Sequence, residues 1–580
     1  MDIKPIIVRK YLESLTESDE LDMIFPILLE SKGFRILTKP KEFKGFPQYG
    51  KDVVAVGKDF EDGVLKRFYF EIKGGEDRHI TTQTYKKDDG IRESILEAKD
   101  KKFTSSYKNF DSLPLKIVLV HNGETKANIR EVFEDFIEKQ FPKDGDSEFG
   151  QWDISQLTKL FAENLFGAYL LTDQKTTTLF NRVLVNLNTN DGVQRDFIEL
   201  IDVLLFEKEN WQSSYEKTLP RKWKLIFESL KLISFILYTE SKEYNNLEIV
   251  KRHLTHLILR FWYWILKNKL ENNKAVVAFY TQLFFFYREI LIEFFERTIP
   301  IAIIKDGLHA EKSGRYEQIG YTIRTFDYLK YLCFMINVDK FLLKEKFQVT
   351  NSTNILSEVL NNNSVSAKPL IDIHSLPIMD ALNLLIASNE PEHAKTYLNE
   401  VFSYIKIRKD KYDILPDASN SIENVIKLTV TGIKPVYYSD STSPILGVLL
   451  EYLAILDMKE SYEFMRDFII EKEIDLGVFV PHLGINSVSR HLIEDSENDL
   501  EEQLFSQSVN DGYQSELTVK NRLSSTPLSF DDFKAKIQAR KNEFEYDYRT
   551  DKVGFPFLKD LAHIYFNTPY FPDKWRKLLA

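Results

Sequence analysis

FYFEIKGG, residues 68–75, alternates as a strand does: Phe68, Phe70 and Ile72 fall on one face, Tyr69, Glu71 and Lys73 on the other. A carboxylate and an ammonium thus stand side by side on a strand otherwise built of large apolar side chains. Upstream, GKDVVAVG, residues 50–57, begins a second strand with Asp52, and the loop from Gly57 to Lys66 is long enough to turn the chain back antiparallel. Asp52 is therefore expected beside Glu71. Paired carboxylates make a hard oxygen site suited to Mg²⁺, which keeps several waters and bridges to phosphate. Lys73 adds a cation that orients or activates an attacking water and offsets charge on a pentacovalent phosphorus. Glu71 and Lys73 are expected to point from the strand edge toward solvent and substrate. Together these are the parts of a phosphodiester hydrolase.

Outward from this strand the pattern predicts a small mixed sheet flanked by helices. From Ser18 to Gly33, Leu21, Ile24, Phe25, Leu28 and Leu29 recur at helical spacing, and Gly33 is a natural stop. Strands are expected at 34–38, 52–56, 68–73, 115–120 and 151–154, with helices at 91–101, at 128–140 and from about Ser155. From about Leu171 the texture changes to long segments of period 3.6, such as 193–206, 221–238, 247–266, 274–295 and 316–336. The predicted fold class is thus an α/β N-terminal domain over 1–170, followed by a large all-α region over 171–350 and 369–580. The Asn- and Ser-rich stretch Thr350 to Lys368 is expected to be a linker, and a second polar stretch runs from Glu494 to Pro527. Leu376–Ile405 and Ser443–Ile470 each read as a helix, a break and a second helix, a pattern seen in helical-repeat scaffolds.

Gly-x-Asp, a hairpin loop and Glu-x-Lys together resemble the motif of PD-(D/E)xK nucleases, nearest to Mrr-like restriction endonucleases. FPILLESKGFRIL, residues 25–37, resembles the family's first helix and strand, and KIVLVHNG and QWDISQLTKL its later strands. The resemblance covers about a quarter of the chain. It implies that Asp52 and Glu71 bind the metal with the Ile72 carbonyl and that Lys73 serves catalysis. Mn²⁺ is expected to substitute for Mg²⁺. Mrr-like proteins usually carry Glu after the helix Phe, whereas Phe25 is followed by Pro26; Glu30 and Glu20 are the alternatives for an upstream acidic ligand. The resemblance also implies a prokaryotic restriction or antiviral defence effector that cuts DNA rather than RNA. Glu-x-Lys recurs at Glu30, Glu42, Glu97, Glu124 and Glu240, but only the copy at Glu71 lies in a strong strand after a Gly-x-Asp. The plain alternative makes Asp52 and Glu71 ordinary strand-end charges with Lys73 as their ion-pair partner.

The 580 residues exceed the size of a single core, so two or more domains are expected. The single cysteine, Cys333, excludes an intrachain disulfide and a multi-cysteine zinc site, and fits a reducing cytoplasm. A formal charge of −11 argues against coating nucleic acid by bulk electrostatics, so any contact must be local. His79, Gln83, Lys86, Lys87 and Arg92, with Lys99, are the nearest candidates for a groove on a nucleic-acid backbone, although each singly reads as solvated surface. The start of the chain lacks a secretion-signal pattern, and the apolar run Val276–Tyr287 is closed by Arg288 and Glu289, so no membrane span is expected.

GFPQYGKD, residues 45–52, matches part of a P-loop. It fails because Asp52 stands where Ser or Thr must be and a strand follows where a helix must begin. His253 and His256 share a helix face without a third ligand nearby, and Arg252 with His256 is one residue short of the spacing in helical HEPN ribonucleases. The aromatic runs from Phe261 and Leu283 lack interleaved basic residues and read as packing. The helical region is expected to sense a trigger, self-associate or dock a protein partner. A rival expectation is a helical scaffold whose nuclease-like domain is inactive and only binds nucleic acid or protein.

Overall fold

The computed structural model describes the chain except residues 1–7, 10–11, 14, 18–20, 39–48, 89, 165–173, 190–191, 208–210, 212–218, 311–315, 345–348, 477, 481–499, 507–512, 516–528, 540, 543–546, 569–572 and 580. It packs as two units, Met1–Val250 and Lys251–Ala580.

The first unit is organised by a five-stranded mixed sheet. Its sheet-bearing part runs α1 (Asp22–Ser31), β1 (Arg35–Thr38), β2 (Val53–Lys58), β3 (Leu65–Lys73), α2 (Thr82–Lys86), α3 (Ile91–Asp100), β4 (Leu115–His121), α4 (Ala127–Gln140), β5 (Ser147–Trp152) and α5 (Ile154–Asn164), and helices Gln174–Val185, Arg195–Asp202 and Arg221–Glu243 follow in the same unit. The strands lie in sequence order. β1, β2 and β3 pair antiparallel, and β3, β4 and β5 pair parallel. Parallel neighbours need a crossover, and the stretches carrying α3 and α4 supply it.

Both faces of the sheet are covered. On one, Phe25 of α1 meets Phe70 edge-on at 5.2 Å, and Phe34 meets Phe68 at 5.1 Å. On the other, Val54, Tyr69 and Ile117 pack with Ala98 of α3 and with Phe110. Leu119 packs with Ile91, Ile95 and Phe133. Phe25 and Phe70 are fully buried, and each such side chain stabilises the fold by about 1.5–3 kcal/mol. The fifth strand, Ser147–Trp152, begins and ends earlier than the expected 151–154. Asp153 sets its end: Oδ1 accepts from the Ser155 and Gln156 amides at 2.9 and 3.0 Å, which caps α5 at Ile154.

The second unit is almost wholly helical among its described residues. The short pair Val478–Val480 with Tyr513–Ser515 is its named β-ladder there. The aromatic runs are core: Trp262, Tyr280 and Phe284 gather around Phe555 at 5.1–6.3 Å. His256 is a buried, neutral histidine whose Nδ1 shares a hydrogen bond with Tyr565 Oη at 2.9 Å; burial, then Arg260 and His253, lower its pKa to about 3. Helix Lys274–Ala302 is long and apolar enough to cross a membrane, yet its Val276, Tyr280, Phe284, Tyr287 and Leu291 are buried within the protein. Arg288 on it pairs with Asp339 at 2.6 Å.

One expectation is overturned in this unit. Residues 350–368 are not a linker: Val349–Asn362 is a helix, with Leu356, Val359 and Leu360 buried at positions i, i+3 and i+4. Asn363, fully buried, donates to the carbonyls of Ala302 and Val359 at 2.8 and 2.9 Å. The polar composition hid a helical period and a bracing asparagine. The helix pairs expected further on are present as Ser375–Ala387 with Pro391–Tyr412 and Pro444–Ile455 with Lys459–Glu471. Much of the stretch 494–527 lies outside the described residues.

Candidate active site

The β2–β3 ladder pairs Val53 with Phe70, and continuing that register by one position sets Asp52 opposite Glu71. Asp52 Oδ2 accepts from the Ile72 amide at 2.7 Å, and the Asp52 amide donates to the Phe70 carbonyl at 2.9 Å. Ile72 thus lies against Asp52 through its backbone. Lys73 Nζ pairs with Glu71 Oε1 at 2.7 Å. Glu71 and Lys73 do not stand out in solvent as expected: their side chains are only 5% and 15% exposed. The segment before α1 comes against the end of the strand, at Gly74 and Gly75.

That segment brings a residue the sequence reading missed. Glu17 Oε2 accepts from the Gly74 amide at 3.3 Å, and the Gly75 amide donates to the Leu15 carbonyl. A Cβ on Gly74 would stand 2.8 Å from the Glu17 backbone nitrogen, so only glycine permits this approach. The signal was the glycine pair after Lys73; it marked a close backbone contact without saying which of Glu17, Asp19, Glu20 and Asp22 would arrive. Glu30 sits at the far end of α1, and the charges acting most on Asp52 are Glu71, Lys73 and Glu17. Glu20 lies outside the described residues.

The electrostatics describe a site short of positive charge. Burial pushes the Asp52 carboxyl well above its usual range, and repulsion from Glu71 adds to it; the Ile72 amide and Lys73 pull the other way. Burial also raises Glu17, against the pull of Lys73 and the Gly74 amide. For Lys73, burial disfavours the charge, but Glu71, Glu17 and Asp52 outweigh it, so it stays protonated. A second lysine adjoins the site. Lys51 is buried, donates to the Tyr49 carbonyl at 2.9 Å and lies 5.3 Å from the Tyr69 ring centre. Burial lowers it to about 8, despite Glu97 and Glu71. His121, paired in register with Lys73, is kept neutral by burial and ties Arg78 O (3.0 Å) to Gln151 Nε2 (2.8 Å) through its two ring nitrogens.

A second acidic group lies at the opposite end of the same strands. Asp59, Asp62 and Glu148 bring carboxylate oxygens within 4.8 Å of one another. Each of the three pairs with the Lys66 ammonium, at 2.9, 2.6 and 2.6 Å. Lys116 binds Asp59 and Glu61 at 2.8 and 2.7 Å. Lysine ammoniums thus occupy the middle of this group, Lys66 in contact with all three of its carboxylates. Asp52, Glu71 and Glu17 are set wider, around Lys73.

The residues expected to contact nucleic acid have the following surroundings. Gln83 and Lys86 are exposed on α2, and Lys87 is held by Asp77 at 2.5 Å. Arg92 lies over the Phe136 ring at 5.8 Å, and His79 Nδ1 accepts from the Glu124 amide at 3.1 Å. Lys99 donates to the Gln140 carbonyl. No family model, no curated protein and no solved structure matches this chain.

Proposed function

We propose that the N-terminal unit is a Mg²⁺-dependent endonuclease that hydrolyses phosphodiester bonds, of DNA in preference to RNA, as an effector whose helical remainder docks a partner or self-associates. The observation that carries this reading is a largely buried group of three carboxylates, Asp52, Glu71 and Glu17, at the end of a sheet, in which Lys73 pairs with Glu71 and acts on the other two at longer range. Buried charges are ordinarily paired, and a group this acidic attracts a hard cation. The donor chemistry fits Mg²⁺, which keeps several waters: Asp52 and Glu71 would hold it with the Ile72 carbonyl, and Glu17 stands farther out. Bound there, Mg²⁺ would polarise a phosphoryl oxygen and lower the pKa of a coordinated water. Lys73, protonated and fixed by Glu71, orients the attacking water and offsets negative charge growing on the phosphoryl oxygens. The Ile72 amide holds the Asp52 carboxylate in place, and the aromatic layer under β3 keeps the strand from shifting.

The test incubates full-length protein with supercoiled plasmid, single-stranded DNA and RNA, with Mg²⁺, Mn²⁺ or EDTA, in parallel with Lys73→Ala. Metal-dependent nicking of plasmid, lost in the variant, is the expected result. Because an effector can stay silent without its trigger, binding of Ca²⁺ is measured alongside by calorimetry, in wild type and Asp52→Asn. Absence of both cleavage and Asp52-dependent Ca²⁺ binding would sink the reading and favour the inert scaffold, in which Lys73 is only the ion-pair partner of Glu71.

A further inference from the structure

A cavity of about 970 Å³ lies within the second unit, among helices Glu317–Leu343, Pro391–Tyr412 and Ile422–Thr431 and the loops near residues 306 and 364. This is at the upper end of the range for small-molecule sites, roughly 300–1,000 Å³. Its charge is distinctive. Along helix Pro391–Tyr412, Lys406 pairs with Asp410 and Lys409 with Asp413, whereas Arg408 between them has no carboxylate partner among the described residues. Its guanidinium makes one long contact, 3.4 Å to Tyr404 Oη, and lies 5.8 Å from that ring's centre. Lys368, on the opposite loop, also has no carboxylate partner among the described residues. Two cations left over in a chain of net charge −11 face one concavity.

The acid in the lining, Asp306, is already spent on the wall. Its Oδ1 accepts from Tyr321 Oη at 2.8 Å and from the Ser364 amide at 3.3 Å, and these bonds hold its carboxyl below the usual range. The wall itself is braced. Asn363 Oδ1 accepts from Tyr321 Oη and from the Leu308 amide at 3.1 and 3.3 Å. A ligand would meet preformed loops rather than have to order them, which favours binding. The remaining surface is aromatic: Tyr404 and Tyr412 line one side, and His309 stands edge-on to Tyr321 at 5.4 Å on another. Tyr412 is 67% exposed, a large ring left open at the rim.

An arginine and a lysine without partners recognise phosphate oxygens, the arginine through its planar fork. Tyrosine faces beside them accept a planar ring, and the apolar floor from Ile319, Val365 and Leu428 accommodates its edge. We propose that this cavity is a binding site for a nucleoside phosphate, with Arg408 and Lys368 on the phosphate and the tyrosines on the base. The site is independent of the acidic group on the sheet, and the proposal does not rest on nuclease activity.

The experiment titrates full-length protein, without added metal, with ATP and AMP by calorimetry, with adenosine and inorganic phosphate as comparison arms. Saturable binding of ATP or AMP is expected, tighter than that of adenosine or phosphate alone. Arg408→Gln and Lys368→Gln should each weaken it roughly tenfold or more, the loss expected for one hydrogen-bonded charge on phosphate. Neither side chain supports a described ion pair, so thermal melting should be unchanged; Tyr412→Ala, at the exposed rim, is the second variant and should also weaken binding. Lys73→Ala should bind as wild type does. No binding of either nucleotide, equal binding in the charge variants, or phosphate binding as tightly as AMP would overturn the proposal.

Discussion

At one end of the five-stranded sheet Asp59 accepts from two lysines, Lys66 and Lys116, whose side chains are each 2% exposed. At the other end Asp52, Glu71 and Glu17 share Lys73. The two ends are about 16 Å apart along β3, five residues from Lys66 to Glu71 at roughly 3.3 Å each. Asp59 is buried and Asp52 half-buried, yet their pKa values are shifted in opposite directions. For Asp59, burial alone would raise the pKa, but hydrogen bonds from Lys116 and Lys66 carry it below the ordinary value. For Asp52, burial and Glu71 carry it well above. The difference teaches that a cluster of carboxylates is informative only with the position of its cations: Lys66 contacts Asp59, Asp62 and Glu148, whereas Lys73 contacts Glu71. The tighter acidic trio is an ion-pair network closed on Lys66, and the looser one is the group that gains from an added cation.

The largest effect should separate the two ends by activity. Asp52→Asn keeps an oxygen to accept from Ile72 but removes a repelling charge. We expect metal-dependent cleavage to fall by roughly a hundredfold or more, the loss typical of one electrostatic group in an active site. The melting temperature in EDTA should stay equal or rise. Asp59→Ala should do the reverse, leaving cleavage intact and costing about 1.5–3 kcal/mol in urea unfolding, because Lys66 and Lys116 lose a shared partner. Lost stability in Asp52→Asn together with retained cleavage would erase the contrast.

Next in size is the choice of the upstream carboxylate. Glu17→Gln should reduce cleavage about tenfold, as loss of a supporting group at a metal site does. Glu30→Gln should leave it unchanged. Equal rates for the two variants would remove Glu17 from the site.

The smallest effect is in the pH dependence of stability without metal. Asp59, with its folded pKa depressed, contributes stability that is present above the ordinary carboxylate value and is lost as pH falls through the folded one. Asp52 and Glu17, with folded pKa values raised, cost stability while ionised, and the cost is relieved as pH falls through those raised values. As pH falls toward the ordinary carboxylate range, the melting temperature of wild type should therefore rise relative to Asp52→Asn, and Ca²⁺ should stabilise wild type more at the upper pH. A parallel pair of melting curves across this range would refute the sign assigned to Asp52.

How much of this was legible beforehand follows from the range of the interactions involved. Alternation in 68–73 placed the faces of β3, because side-chain direction in a strand is set by the backbone alone, and the apolar run 53–56 placed β2. The helical period after 171 was equally local. Composition misled at 350–368, where Asn and Ser outnumber Leu356, Val359 and Leu360, the residues that decide burial.

What the sequence by itself determined was the succession of the five strands and of the longer helices in the N-terminal unit, though not the short helix at 82–86, which read as a polar loop, the helical nature of the rest, and the placing of Asp52 near Glu71 by a hairpin. Only the tertiary structure decided that Glu17, 57 positions before Gly74, completes the acidic group, that Glu71 and Lys73 lie under cover, and that Asp59, Asp62 and Glu148 close on Lys66. The reason is physical: periodicity records which face a residue occupies, whereas charge balance and desolvation depend on which distant segment packs over that face, and neither leaves a mark at fixed spacing.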